Sequence, residues 1–183
     1  MIVRTLIAAA VLTAVSGAAS AQSARATLKN DEGADIGRVD LTQVSDGVLL
    51  KIALKGLPSG DHAFHVHAVG KCEPPFTSAG GHFNPEDRKH GMMSGEGHHA
   101  GDMPNLVIPA SGELNLEAVN TAITLQKDKP NSVFKPEGTA LVIHANPDDY
   151  KTDPTGNAGG RIACGVIEEP PAAHAEGAAP SGR

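Results

Sequence analysis

Histidine is the residue most able to do chemistry in this chain: there are nine, against one Tyr, four Phe and no Trp. Their spacing sorts them. His65 and His67 lie two apart in His62-Ala63-Phe64-His65-Val66-His67. On a strand such a pair shares one face and can chelate a single ion, while Phe64 and Val66 turn the other way. Alone, an H-x-H reads more simply as two polar residues on a solvated face. The further histidines weaken that reading. His82, His90, His99 and Asp102 follow in a stretch rich in Gly. Three imidazoles and a carboxylate complete a tetrahedral zinc set with no open position, which is the donor set of a structural site. Such a site would order a loop that has little core of its own. His144 ends the apolar run Ala140-Leu141-Val142-Ile143 and would add a third imidazole to the His65/His67 pair. A planar nitrogen site with room for an axial ligand suits copper, the tightest binder among the first-row divalent ions.

The elements that must position these residues read as antiparallel β. The alternation of Val48, Leu50, Ile52 and Leu54 against Lys51 and Lys55 is the clearest strand, and Leu114, Leu116 and Ala118 alternate with Glu113, Asn115 and Glu117. Eight strands are expected, at 26–30, 35–41, 47–54, 62–68, 105–109, 112–120, 139–145 and 161–167, separated in several places by breaks such as Asp46-Gly47 and Ser111-Gly112. Short strands at this spacing predict an all-β fold, an eight-stranded antiparallel Greek-key barrel or sandwich. Residues 69–104 and 146–160 carry neither strand nor helix pattern. Irregular segments of such length inside a compact domain are usually functional or disordered, and four histidines in the first argue for function.

Both ends stand apart from that domain. Met1–Arg4 is a short basic stretch, Thr5–Val15 is apolar, and Ala19-Ser20-Ala21 forms a small-x-small cleavage pattern. Residues 1–21 are therefore expected to be a signal peptide removed before Gln22. The apolar run falls short of the ~20 residues that span a bilayer, so no membrane anchor is expected. From Glu168 the composition turns to Pro, Ala, Gly and Glu, predicting a flexible tail over 168–183 and a folded domain over 22–167. Export favours a periplasmic location, with secretion as the alternative. In an oxidising compartment Cys72 and Cys164 read most simply as a disulfide closing 92 residues, two soft metal ligands being the alternative. A net charge of −6 with five aromatics excludes nucleic-acid binding by stacking.

Phe64-His65-Val66-His67, Gly81-His82-Phe83-Asn84-Pro85, His99-Ala100-Gly101-Asp102 and Gly156-Asn157-Ala158-Gly159-Gly160-Arg161-Ile162-Ala163-Cys164-Gly165-Val166-Ile167 together resemble the copper/zinc superoxide dismutases. The likeness covers nearly all of 26–167, with the motifs in the family's order. It implies one copper ion held by His65, His67, His82 and His144, and one zinc ion held by His82, His90, His99 and Asp102. His82 would then bridge both ions, having lost both ring protons. Asp148 would be the outer carboxylate joining His65 to His90. Arg161 would orient the superoxide anion beside copper, and Cys72–Cys164 would be the intrasubunit disulfide. The implied reaction is dismutation of superoxide to oxygen and hydrogen peroxide, with His82 and Arg161 as the catalytic residues.

Some positions depart from the family. Pro154 stands where eukaryotic members usually carry a steering lysine, and Asp148, Asp149 and Asp153 make that segment acidic; Lys151 or Lys71 would have to substitute. Met92, Met93 and Met103 are expected to pack within the loop, copper loading being the other reading. His62, His98 and His174 are left outside both ligand sets. Oligomeric state stays open, a homodimer being the assembly the resemblance allows. The competing functional class is a copper- and zinc-binding or storage protein on the same fold without turnover.

Overall fold

The computed structural model describes residues 22–170, so the expected signal peptide and most of the expected tail lie outside the described residues. Nine strands occur among the described residues: β1 Ser23–Asn30, β2 Asp35–Val44, β3 Gly47–Leu54, β4 Gly60–His62, β5 Phe64–His67, β6 Leu106–Ile108, β7 Leu114–Asn120, β8 Ala140–His144 and β9 Arg161–Val166. The count exceeds the expected eight because the 62–68 run divides at Ala63. Residues 60–62 pair with β6, and 64–67 pair with β8. The only helical element among the described residues is a 3-10 turn at Thr77–Ala79. None of their helices is long and apolar enough to cross a membrane.

Seven strands form one curled antiparallel sheet in the order β5-β8-β9-β1-β2-β3-β7, and β4 and β6 make a separate two-stranded ribbon. Strict alternation builds its inner face: Ala24, Ala26 and Leu28 of β1, then Val48, Leu50, Ile52 and Leu54 of β3, are buried. Every second side chain removed from water on each strand supplies the hydrophobic driving force without large rings. At the edge strand β7 the alternation is weaker, and Leu116 is 40% exposed because no strand flanks β7 on its outer side. β8 is buried on both faces. Its inner side joins the main core through Leu141 and Ile143. Its outer side packs Ala140 and Val142 with Phe76, Ala79 and Cys164, the small core beneath the 69–104 segment.

β5 is the opposite edge, and there the irregular segment acts as a substitute strand. The N–H of Val66 donates to Gly101 O, the N–H of Phe83 to Val66 O, and the N–H of Ala68 to Gly81 O. Gly101 has to be glycine: a Cβ there would overlap the Val66 carbonyl oxygen. At the other end, Glu168 exchanges backbone hydrogen bonds with Arg25, so ordered pairing runs one residue beyond the boundary expected from composition.

Candidate metal centre

The strand edge brings the histidines together. His65 and His67 are wholly buried on one side of β5, and Phe64 and Val66 enter the main core on the other. His144 ends β8 at a shift in register, with its N–H on Ala63 O. The substitute strand sets Asp102 opposite His65 and His82 opposite His67. Asp102 then organises the rest with its two oxygens. Oδ2 accepts the backbone N–H groups of Gly91 and His99 at 2.9 and 3.1 Å. Oδ1 faces Nδ1 of His82, His90 and His99 at 3.1, 3.0 and 3.4 Å.

The outer ring nitrogens fix the tautomers. His67 donates from Nδ1 to Gly80 O at 2.9 Å, and His144 Nδ1 faces Gly159 O at 3.4 Å. Their Nε2 atoms are left as lone pairs 3.3 Å apart. His65 and His90 donate from Nε2 to the two oxygens of Asp148 at 2.8 and 3.0 Å. That leaves His65 Nδ1 buried without a partner, and His82 Nε2 is the other such atom. His82 differs from its neighbours: Nδ1 turns to Asp102 and to His99 Nδ1, and Nε2 turns to no protein acceptor. Lone pairs facing one another and orphaned buried nitrogens are unfavourable in a protein alone and favourable around a cation. Such a donor set fits metal ions.

Three groups of ligand atoms cluster this closely among the described residues; in one, His65 and His90 are already hydrogen-bonded to Asp148, and the other two satisfy that requirement. Those of His65, His67, His82 and His144 all lie within 4.8 Å of one another, as do those of His82, His90, His99 and Asp102. His82 belongs to both. Every residue expected from the sequence to ligate a metal is therefore in one of these groups, and Asp148 sits behind His65 and His90.

Electrostatics favours metal-ready rings at His67, His82 and His144. Burial, reinforced by the neighbouring imidazoles and Arg161, holds His67 well below its ordinary value and lowers His144 to about 3. Burial also lowers His82 to about 4, against the pull of Asp102. In His90 burial is outweighed by hydrogen bonds to Asp102 and Asp148, which raise it to about 9. Burial would raise both carboxyls, yet the histidine hydrogen bonds hold Asp102 and Asp148 well below the carboxylate range.

Arg161 opens β9 beside the first group. Its Nη1 donates to Phe76 O and its Nη2 to Gly80 O at 2.6 Å, the same carbonyl that receives His67 Nδ1. Cys72 and Cys164 form a disulfide with a Cα–Cα distance of 5.5 Å, tethering the irregular segment to β9 three residues after Arg161.

Two supporting residues escaped the sequence reading. His62, left outside the ligand sets, is buried with Nδ1 2.8 Å from His144 O and Nε2 3.1 Å from Pro58 O, so it pins the backbone of a candidate ligand. Its proximity to His65 in sequence was the available signal. Asn105 grips Asp148 twice, donating to its carbonyl and accepting its N–H, and its own N–H donates to the Tyr150 hydroxyl. No sequence pattern marked it. The methionines divide: Met103 is buried, whereas Met92 and Met93 are 41% and 64% exposed, so the expected loop packing fails for those two. Their loop is too short of apolar neighbours to cover them. His98 is exposed with Nδ1 at His99 O, and His174 lies outside the described residues.

Residues 36–167 match the profile of the copper/zinc superoxide dismutase family. The chain is 54% identical over 146 residues to a Cu-Zn superoxide dismutase of Aquifex aeolicus, covering 79% of this chain and 85% of the relative. It is 41% identical over 150 residues to a Cu-Zn superoxide dismutase of Caulobacter vibrioides, covering 80% and 86%. Its fold is similar to the crystal structure of a superoxide dismutase-like protein from Bacillus subtilis, with a TM-score of 0.75 and 36% identity over 78% of this chain and 96% of that one.

Proposed function

The chain belongs to the copper/zinc superoxide dismutase family, and from that premise we propose that His65, His67, His82 and His144 hold copper, His82, His90, His99 and Asp102 hold zinc, and superoxide is dismutated at the first of these sites. The observation that carries the assignment is His82, which belongs to both ligand groups and has Nδ1 at Asp102 and a buried Nε2 without a protein partner, while each neighbouring ring in the first group keeps one nitrogen on a protein acceptor. When bound, copper supplies the one-electron couple that turns two superoxide anions and two protons into oxygen and hydrogen peroxide, and zinc supplies fixed charge and loop order.

The remaining work belongs to the chain. Arg161 presents its cation to the anionic substrate; two of its five N–H donors are taken by Phe76 O and Gly80 O, which fixes the guanidinium and leaves the others free. A net charge of −6 opposes the approach of an anion, so attraction at short range rests on Arg161. His82 can hold a proton at Nε2, an atom with no protein partner, and pass it to a reduced dioxygen at the same site. Asp148 keeps the rings of His65 and His90 in their tautomers. A disulfide and bacterial relatives are consistent with export, and we assign the mature protein to the periplasm after cleavage before Gln22.

The test is metal analysis coupled to turnover. The purified chain should carry about one copper and one zinc and disproportionate superoxide cyclically. His144→Ala should abolish turnover while zinc stays bound. Full metal content without turnover would identify a metal store instead, and activity surviving in His144→Ala would overturn the copper ligand set.

A further inference from the structure

Four of the candidate ligand rings have an obvious outer partner: Asp148 for His65 and His90, Gly80 O for His67 and Gly159 O for His144. His99 is different. Its Nδ1 faces His82 and Asp102, so its Nε2 is the outer nitrogen, and the carboxylate nearest to it is Asp153, with Oδ1 at 4.0 Å. At that distance the contact is charge–dipole attraction rather than a formed hydrogen bond. The same Oδ1 accepts the backbone N–H of the adjacent candidate ligand His90 at 2.8 Å. Oδ2 faces Lys89 Nζ at 3.5 Å. A single exposed carboxylate on the 146–160 segment thus accepts a hydrogen bond from the backbone of one candidate ligand and lies 4.0 Å from the ring of another. Asp153 also lines, with the candidate ligand His90, a shallow surface depression of about 300 Å³ that Lys89, Ser94, Gly95, Glu96 and Lys151 complete.

We propose that Asp153 is a positioning residue of the zinc group: it hooks His90 to the 146–160 segment, steers the outer edge of the His99 ring, and closes the solvent side through which zinc leaves. The proposal rests on the reading that His82, His90, His99 and Asp102 bind zinc. The two contacts act by different physics. The hook is a hydrogen bond to an N–H that would otherwise lose its partner. The steering is electrostatic, because a ring that ligates through Nδ1 carries its proton on Nε2, and a carboxylate near Nε2 favours that tautomer and orientation. Lys89 competes for the same charge, so removing it should strengthen the effect.

Two substitutions separate the contacts. Asp153→Asn can keep the acceptor for His90 N–H and drops the charge; Asp153→Ala drops both. Zinc release from the copper- and zinc-loaded protein is followed with a chromophoric chelator, and the visible spectrum is recorded after zinc is replaced by cobalt(II). Release should accelerate ~10–100-fold in Asp153→Ala, the usual effect of deleting an outer partner of a metal ligand, and by a smaller factor in Asp153→Asn. The cobalt bands should shift in both variants, and Lys89→Met should slow release. A merely structural anchor would lower Tm with the cobalt spectrum unchanged and would be rescued fully by Asn; that result overturns the proposal, as does wild-type release from Asp153→Ala. If Asp153→Ala does not fold, Asp153→Asn and Lys89→Met still decide it. Failure of the wild-type protein to hold zinc would refute the underlying zinc assignment instead, and metal analysis of the unmodified chain reports that separately.

Discussion

Replacing Cys72 and Cys164 together by Ala should remove much of the domain's stability, and the size follows from where the bridge sits. The two residues are 92 apart in sequence. In the chain-entropy model a loop of that length restricts the unfolded ensemble by about 4.6 kcal/mol at 25 °C, reduced where the unfolded chain keeps residual structure. A loss of about 2–5 kcal/mol is expected, against the 5–15 kcal/mol that typically holds a domain folded. Alanine is the right replacement because Cys164 is buried among Phe76, Ala79, Ala140 and Val142, where a serine hydroxyl would add its own desolvation cost. The assay is urea unfolding of the metal-free protein at one pH, wild type against the double variant, with midpoint and m-value fitted together. The m-value should rise, since an unlinked chain exposes more surface. In the metal-loaded variant, turnover should fall further than metal content, because the freed segment carries the Phe76 and Gly80 carbonyls that orient Arg161, and Gly80 O also orients His67. A stability loss below about 1 kcal/mol would refute the reasoning, showing that the segment is already confined without the bridge.

Asp148→Asn should weaken metal binding ~10–100-fold, because an amide cannot accept from both His65 and His90 with two carboxylate oxygens; competition with a chelator measures it, and unchanged affinity would sink the role given to Asp148. Gly156→Ala should mimic that loss, since a Cβ at its left-handed position would overlap Asp148 Oδ1 and crowd His90 Nε2; zinc content of the purified variant is the readout. Stability of the metal-free protein should peak near pH 6–7. His90, raised to about 9, binds its proton more tightly in the folded state, so its contribution is complete below about pH 6.5 and is lost as pH climbs through 9. His82 and His144, lowered to about 4 and 3, work in reverse: they resist protonation when folded and destabilise the fold progressively as pH drops below about 6.5. Asp102 and Asp148, lowered as well, add to that acid loss. Urea titrations across pH 4–10 check this, and stability that climbs steadily from pH 6.5 to 9 would contradict it.

Several features are legible in the sequence alone. Alternation in β1 and β3 is a local property, because the side-chain period of a strand converts sequence directly into an inner and an outer face. The H-x-H pair works the same way, and it set His65 and His67 apart from Phe64 and Val66. Where the sequence erred, long-range pairing was deciding. Ala63 carries no mark of a break, yet residues on its two sides pair with different strands. The exposure of Leu116 comes from its place at a sheet edge, which no window of sequence contains.

By itself, then, the sequence determined the candidate ligand types, the two irregular segments and an all-β frame, and its motifs indicated the family. Only the tertiary structure decided how the candidate ligands meet. The irregular segment lies as a substitute strand along β5, so that Asp102 and His82 arrive opposite His65 and His67. It also decided the outer shell: Asn105 gripping Asp148, His62 pinning His144, and Asp153 between His90 and His99. Those contacts join residues 43, 82 and 63 positions apart. Such pairs leave no periodic trace, because hydrogen bonds between loops depend on where the sheet carries their ends rather than on the residues beside them.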